Sequence, residues 1–334
     1  MKKHLKPILF STSAGLLAGA ATSLLFCETS RAQSLSQGVI DQFNSTVGPK
    51  VEAADVLGGD VGLTGGRFLA TGNSAFSTDI KISKFGGGGD VGDPKPLGNL
   101  GVGWQPRLQG SMGYLDGKKH FNEGIQNGDE SELKTFAIQF GGGARFWFDD
   151  HFSLAPTVMG MYGHTKNDYD VSSPFAHQYA DQAAKLGIID WNVDTWTIRP
   201  AINGQYVYTL GRTIFTLASD FTYYHTQSFE ASSSYLHING DSETWKNTID
   251  VDIPLGKQLF GHELRTGGYF ARTEFYNNIQ QGLNTDHLYD FHGRIVLDFL
   301  GQLWKVQWIG LGASYMWGSN FDGYSIGADI AFRF

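Results

Sequence analysis

A chain of 334 residues with 44 glycines, 14% aromatic and only 17% charged residues suits a turn-rich sheet with an aromatic face. It does not suit a helical enzyme, since soluble domains carry about 25% charged residues and about 7% glycine. A mean hydropathy of −0.22 excludes a bundle of transmembrane helices but not a barrel, whose lipid-facing and lumen-facing side chains average to mild polarity.

At the start of the chain, Lys2, Lys3 and Lys6 precede an apolar stretch from Ile8 to Phe26, and Ser30 and Ala32 give the small-x-small pattern. Residues 1–32 therefore read as a signal peptide cut after Ala32. Ser11, Thr12, Ser13, Thr22 and Ser23 dilute the run below what a membrane anchor needs, and Phe26 before Cys27 argues against lipid attachment. The cut removes the single cysteine and with it any thiol nucleophile, disulfide or Cys-ligated metal. It also takes away four of 25 basic residues and one of 33 acidic ones, leaving 21 and 32 and a formal charge of −11. That charge repels phosphate backbones, so nucleic acid is not an expected partner.

Residues 33–58 form the next segment. Leu35, Val39, Ile40 and Phe43 recur at helical spacing in Ser34–Val47, and Gly48-Pro49 ends the pattern. From residue 59 to residue 334 the period is two. Gly59–Thr71 and Thr78–Phe85, with Ile80 and Ile82 set against Asp79 and Lys81, predict a first hairpin, followed by a connection through Gly86–Gly89 and Asp93–Pro96. In Thr135–Phe148 an apolar face of Phe136, Ile138, Phe140 and Phe146 opposes Thr135, Gln139 and Arg145. The same writing recurs in Trp196–Tyr208, Phe215–Tyr223, Trp245–Leu255 and Tyr289–Phe299. In His262–Phe275, Leu264 and Phe270 fall on one face and Tyr269 and Phe275 on the other, with Gly267-Gly268 as a candidate bulge.

These runs outlast the 5–6 residues usual in a soluble sandwich and match the roughly 9–11 that cross a bilayer. Their ends gather aromatics (Trp104, Tyr114, Trp147, Trp196, Tyr208, Tyr223, Trp245, Trp317, Tyr324), as interfacial girdles would. The expected connections are Asp116–Glu130, Asp149–Asp150, Lys166–Asn192, Leu210–Arg212, Gln227–Ser242, Gly256–Gly261, Asn277–Thr285, Leu300–Leu303 and Ser319–Gly323. Short ones alternate with long ones, which gives ten strands from Leu100 and twelve in all. The reading is an all-β, transmembrane antiparallel barrel of twelve strands with a short N-terminal helix, in the lumen or the periplasm. Phe334 stands at the periplasmic side and the long loops outside.

The last strand carries Tyr324, Ile326, Ala328, Ile330, Phe332 and Phe334 on one face. A barrel preceded by a short helix and ending in this pattern resembles the translocator domain of autotransporters, and in particular the family of solitary outer-membrane autotransporter-like barrels. The resemblance covers residues 59–334. It implies a bacterial outer-membrane location among outer-membrane lipids. It also implies that Tyr324, Ile330, Phe332 and Phe334 are the signal read by the barrel assembly machinery, and that the helix plugs the lumen. Residues 33–58 are too few for a passenger, so the family's secretion role is not carried over.

The polar phase carries Arg107, Arg145, Arg199, Lys246, Asp250, Asp252, Asp290, Arg294, Asp298, Asp329 and Arg333. These predict a charged lumen, either paired across strands or selecting small solutes. Catalytic sets are weak. Asp286-His287 are adjacent on a strand, and His164 and His225 have no serine two residues away to pair with, Ser232–Ser234 being the nearest rim serines. Ten histidines without repeated spacing make no metal site, and the glycine runs at Gly86–Gly89 and Gly141–Gly143 lack the helix and lysine of a phosphate loop. No catalysis, cofactor or metal is expected. The functions left are a structural or narrow small-solute channel, or a surface receptor or adhesin using Lys166–Asn192, with Tyr169, Phe175 and Tyr179 in contact. An outer-membrane hydrolase ranks third.

Overall fold

The computed structural model describes residues 51–57, 62–73, 76–121, 128–173, 181, 184, 189–299 and 306–332. The expected signal peptide, the Ser34–Val47 helix, Phe175, Tyr179, Arg333 and Phe334 lie outside these residues. A helix α1 (residues 51–56) precedes β1 (Gly62–Asn73), β2 (Phe76–Asp90), β3 (Lys95–Pro96), β4 (Gly103–Phe121), β5 (Glu130–Trp147), β6 (Phe152–Asp170) and β7 (Asn192–Leu210). Then come β8 (Thr213–Ala231), β9 (Asn239–Leu259), β10 (His262–Asn277), α2 (Asn278–Leu283), β11 (His287–Asp298), β12 (Val306–Gly318) and β13 (Phe321–Phe332). Each long strand pairs antiparallel with its neighbours. β1 returns to β13 with Leu63 opposite Ala328, and β2 pairs with β4, so twelve strands close and no edge is left except at the two-residue β3. Closure is what membrane burial of a sheet requires, since lipid offers no partner to a bare strand edge.

Alternation decides the two surfaces. Phe140, Val158, Ile249, Phe291, Leu311 and Ile326 stand more than half exposed around the wall, an apolar band of the kind that meets lipid. Above it Phe270, Tyr289, Tyr315 and Trp317 form a stacked patch, with ring centroids 5.4 Å apart for Tyr289 and Trp317. Strands β4 to β8 run to 18 or 19 residues and β9 to 21, well past the band. Their outer continuations on β4, β5 and β6 change to ion pairs, Lys118 with Glu130 at 3.0 Å and Lys166 with Asp168 at 2.7 Å. The strands therefore extend into what alternation alone assigned to loops. The Gln227–Ser242 and Asp116–Glu130 connections shrink to 232–238 and 122–129, and the last one is only 319–320.

Four further details differ from expectation. Gly86–Gly89 lie within β2, opposite Ser111 to Leu108, and are not a connection. Ile80 and Ile82 point inward and are buried, because the lumen at that height is filled with apolar side chains. The register of β10 runs unbroken through Gly267-Gly268; its shift lies at Leu264/Arg265, and Tyr269 and Phe275 are simply inward-facing. Trp147, placed by sequence in a girdle, donates its indole N–H to Gln105 Oε1 at 2.8 Å on the lumen phase. The Gly141–Gly143 stretch permits close packing: a Cβ on Gly143 would stand 2.0 Å from the Pro156 carbonyl oxygen.

The core lies inside the barrel toward its long-loop end. Val51, Ala53, Ala54 and Leu57 of the α1 segment pack with Phe68, Ile80, Ile82, Leu115, Tyr224, Phe275 and Phe321, and α2 folds in above with Ile279 and Leu283. Phe68 stacks on Phe321 at 5.2 Å. Phe68→Ala is expected to cost about 3–5 kcal/mol, read as a lower unfolding midpoint by loss of heat-modifiable migration; an unchanged midpoint would show that this ring does not support the closure.

Candidate functional site

The site is the occupied lumen. Every residue of α1 except Val56 is buried, and the barrel wall is cut to receive it. A Cβ on Gly163 would meet Val51 Cγ1 at 2.4 Å, and one on Gly113 would meet the Ala54 carbonyl oxygen at 2.9 Å. Glu52 accepts a hydrogen bond from Thr226 Oγ1 at 2.7 Å, in the upper part of β8. Asp55, one turn on, lies lower, beside Tyr224. The helix thus runs from the long-loop end toward the short-turn end, where β1 begins.

Asp55 is the anchor. Its Oδ2 is 3.0 Å from Arg199 Nε and accepts from Tyr224 OH at 3.0 Å. Its Oδ1 accepts from Gln139 Nε2, and Lys84 Nζ stands 3.5 Å from Oδ1 while donating to the Asp55 carbonyl oxygen. Lys84, Gln139 and Tyr224 are 4%, 7% and 1% exposed. A buried cation and a buried carboxylate on this scale each need the other, since the charge left behind by losing one is far costlier than the pair. Glu52 differs. It is 1% exposed, no cation faces it, and Oε2 has no hydrogen-bond partner among the described residues. Burial pushes its carboxyl up to about 7, with Asp241 and Asp55 adding to the effect.

Toward the short-turn end α1 leaves a cavity of about 260 Å³, lined by Lys84, Arg107, Arg199, Asn203, Asp220, Lys246 and Asp290 among others. Of the residues read from the polar phase, Arg107, Arg199, Lys246 and Asp290 line this cavity, and Arg333 is outside the described residues. Arg107 and Arg145 share Asp90 at 2.8 and 2.9 Å; Arg294 holds Asp250 at 2.6 Å; Arg265 holds Asp252 at 3.0 Å and stands 3.8 Å from Asp298. Tyr269 OH donates to Asp290 at 2.8 Å, and His292 Nε2 lies 3.0 Å from Asp329. The signs are not evenly mixed around the wall. Lys84, Arg107, Arg145 and Arg199 on β2 to β7 face one acid, Asp90, on the same strands. On β8 to β13, Asp220, Asp250, Asp252, Asp290, Asp298 and Asp329 outnumber Lys246, Arg265 and Arg294. Asp55 reaches toward the basic half.

At the long-loop end, Trp191 before β7, Val193 within it, and Leu236 and Ile238 of the 232–238 connection form a second buried cluster. Asp129 ties the rim by accepting from Ser172 N at 2.8 Å and Tyr169 OH at 3.0 Å.

The catalytic candidates resolve differently. His164 and His225 each place Nδ1 on an aspartate, Asp194 at 2.8 Å and Asp241 at 2.9 Å, and each aspartate also accepts from a tyrosine two residues before its histidine. Ser232 is bound to the Asn192 backbone and Ser233 accepts from Tyr235 N. Asp286 and His287 do touch, at 2.7 Å. Asp286 precedes β11, so the two are not adjacent residues of one strand as the sequence reading had them. Among the described residues no cluster of His, Cys, Asp and Glu could hold a metal.

Asp55, Glu52, Lys84 and Tyr224 were not singled out in the sequence, and Gln139 was read only as a polar-face residue. Gly163 and Gly113, small inward residues in otherwise full strands, were the available signal.

Residues 96–327 match the model of the solitary outer membrane autotransporter β-barrel domain. A search of curated proteins returns no match. Among solved structures, the transport unit of the autotransporter AIDA-I from Escherichia coli superposes with a TM-score of 0.54 at 10% identity, covering 87% of this chain and 99% of that one. The translocator domain of the autotransporter NalP from Neisseria meningitidis gives 0.52 at 10% identity, covering 96% and 100%. At such identities the likeness speaks for the fold.

Proposed function

The chain belongs to the solitary outer membrane autotransporter β-barrel family, and from that premise we propose that it is a non-enzymatic outer-membrane barrel acting as a narrow small-solute channel, closed at rest by α1. The observation that carries this reading is the charged cavity of about 260 Å³ beneath a helix whose charged contacts with the wall converge on one carboxylate. A permanent strut would be expected to bury apolar contacts alone, whereas here the wall side chains that grip Asp55 also line the space a solute would use. Planar-bilayer recordings test it. Wild-type protein is expected to stay closed, and Asp55→Ala or deletion of residues 33–57 to conduct. Silence in all three overturns the channel.

A second reading, a surface receptor or adhesin, is favoured by the strands that carry the long-loop rim beyond the apolar band on the Lys118–Glu130 and Lys166–Asp168 pairs. Deleting 171–191 is then expected to abolish ligand binding while heat-modifiable migration survives. Unchanged binding counts against it.

A further inference from the structure

Lys84 on β2, Gln139 on β5, Arg199 on β7 and Tyr224 on β8 come from four separate strands, yet their polar atoms converge on one point in the lumen, the carboxylate of Asp55. None of the four belongs to α1. The helix supplies the carboxylate and, to Lys84, the Asp55 carbonyl oxygen, while the donors all belong to the wall. This cradle brings two cations, one phenol hydroxyl and one amide N–H₂ to a single planar group: Oδ2 receives Arg199 and Tyr224, and Oδ1 receives Gln139 and Lys84. Donors on both oxygens fit a carboxylate. Three of the four side chains are more than nine-tenths buried, so the cradle is desolvated and selective for charge. Lys84, Gln139, Arg199 and Tyr224 all line the cavity, which leaves room beside the cradle for a molecule larger than a bare carboxylate.

We propose that these four residues form a carboxylate-binding site of the barrel wall that Asp55 fills in cis, and that small carboxylate solutes entering the lumen compete with α1 for it. The helix then acts as a tethered occupant. A tethered ligand has a high effective concentration, so a free solute must bind well or be abundant to displace it. The site stands whether or not the barrel conducts, since it needs only access from the cavity.

The test is chemical rescue. Asp55→Ala removes the carboxylate and leaves the cradle, and formate is the anion of matching size. The protein is folded in detergent and its thermal midpoint is followed by heat-modifiable migration in sodium formate, in sodium chloride of equal ionic strength, and in chloride with neutral formamide. Formate is expected to raise the midpoint of Asp55→Ala saturably, with half-saturation no tighter than about 1 mM, the ceiling for a ligand of three heavy atoms. Wild type and the double variant Asp55→Ala/Lys84→Met are expected not to respond. Equal midpoints in formate and chloride, or the same response from the double variant, would overturn the proposal. If Asp55→Ala does not fold in chloride, refolding yield becomes the readout: recovery in formate alone supports the site, and failure in both salts overturns it.

Discussion

Replacing Asp55 with alanine is expected to release α1 from the lumen. The variant loses the group on which Lys84, Gln139, Arg199 and Tyr224 converge, and it strands Lys84 at 4% exposure without its carboxylate. Breaking a buried pair by removing one partner costs about 3–5 kcal/mol. The apolar contacts of Val51, Ala54 and Leu57 remain, so the barrel itself should stay closed as a sheet while the helix opens more often. Amide hydrogen exchange of residues 53–57 reads this directly. Exchange should accelerate by roughly two to three orders of magnitude if opening is local and reversible. Asp55→Asn keeps the shape and should fall between. Exchange in Asp55→Ala at the wild-type rate would mean that the apolar packing alone holds the helix.

Docking of α1 is also expected to weaken as pH rises toward neutrality. Glu52 lies in the lumen helix, buried, with one oxygen unpaired, and with Asp241 and Asp55 as the charged groups near it. Its folded value of about 7 is above the 4.5 of an exposed glutamate. The docked state therefore binds the proton more tightly than the undocked one. Its stabilisation is complete below the undocked value, falls as pH rises between the two, and is gone above the folded value. At 1.36 kcal/mol per pH unit the swing is on the order of 3 kcal/mol. Glu52→Gln, which stays neutral, should remove it. The ratio of exchange rates between wild type and Glu52→Gln over pH 4 to 9 checks this, because intrinsic exchange cancels. A ratio that does not change with pH would rule out Glu52 as the titrating group.

The barrel was largely legible because one physical rule, a side-chain period of two over long runs, repeats through the chain. Phe136–Phe148 and Tyr289–Phe299 read correctly for that reason. The rule failed where its premise did. It takes the inward face to be polar, and near α1 that face is apolar, so Ile80 and Ile82 occupy a face that the rule reserves for polar residues, and Phe68 drew no notice. Loop ends were misplaced because hairpins continue beyond the membrane on ion pairs such as Lys118–Glu130, which carry no apolar alternation. The charges of the polar phase can be read as a set from alternation, but their segregation onto two halves of the wall depends on strand order. Arg199 could be seen in the sequence; that it meets Asp55, 144 positions away, could not. Such contacts across the lumen follow from closure and leave no local trace.

The central claim is that α1 fills the lumen, and a single cysteine tests it most directly. Ala54 is 1% exposed and faces Gly113. In a Cys27→Ser background, Ala54→Cys should resist a membrane-impermeant maleimide in folded protein, while Ser319→Cys on the exposed rim reacts fully and Asp55→Ala restores labelling at position 54. Labelling of Ala54→Cys as fast as Ser319→Cys, with Asp55 intact, would contradict an occupied lumen.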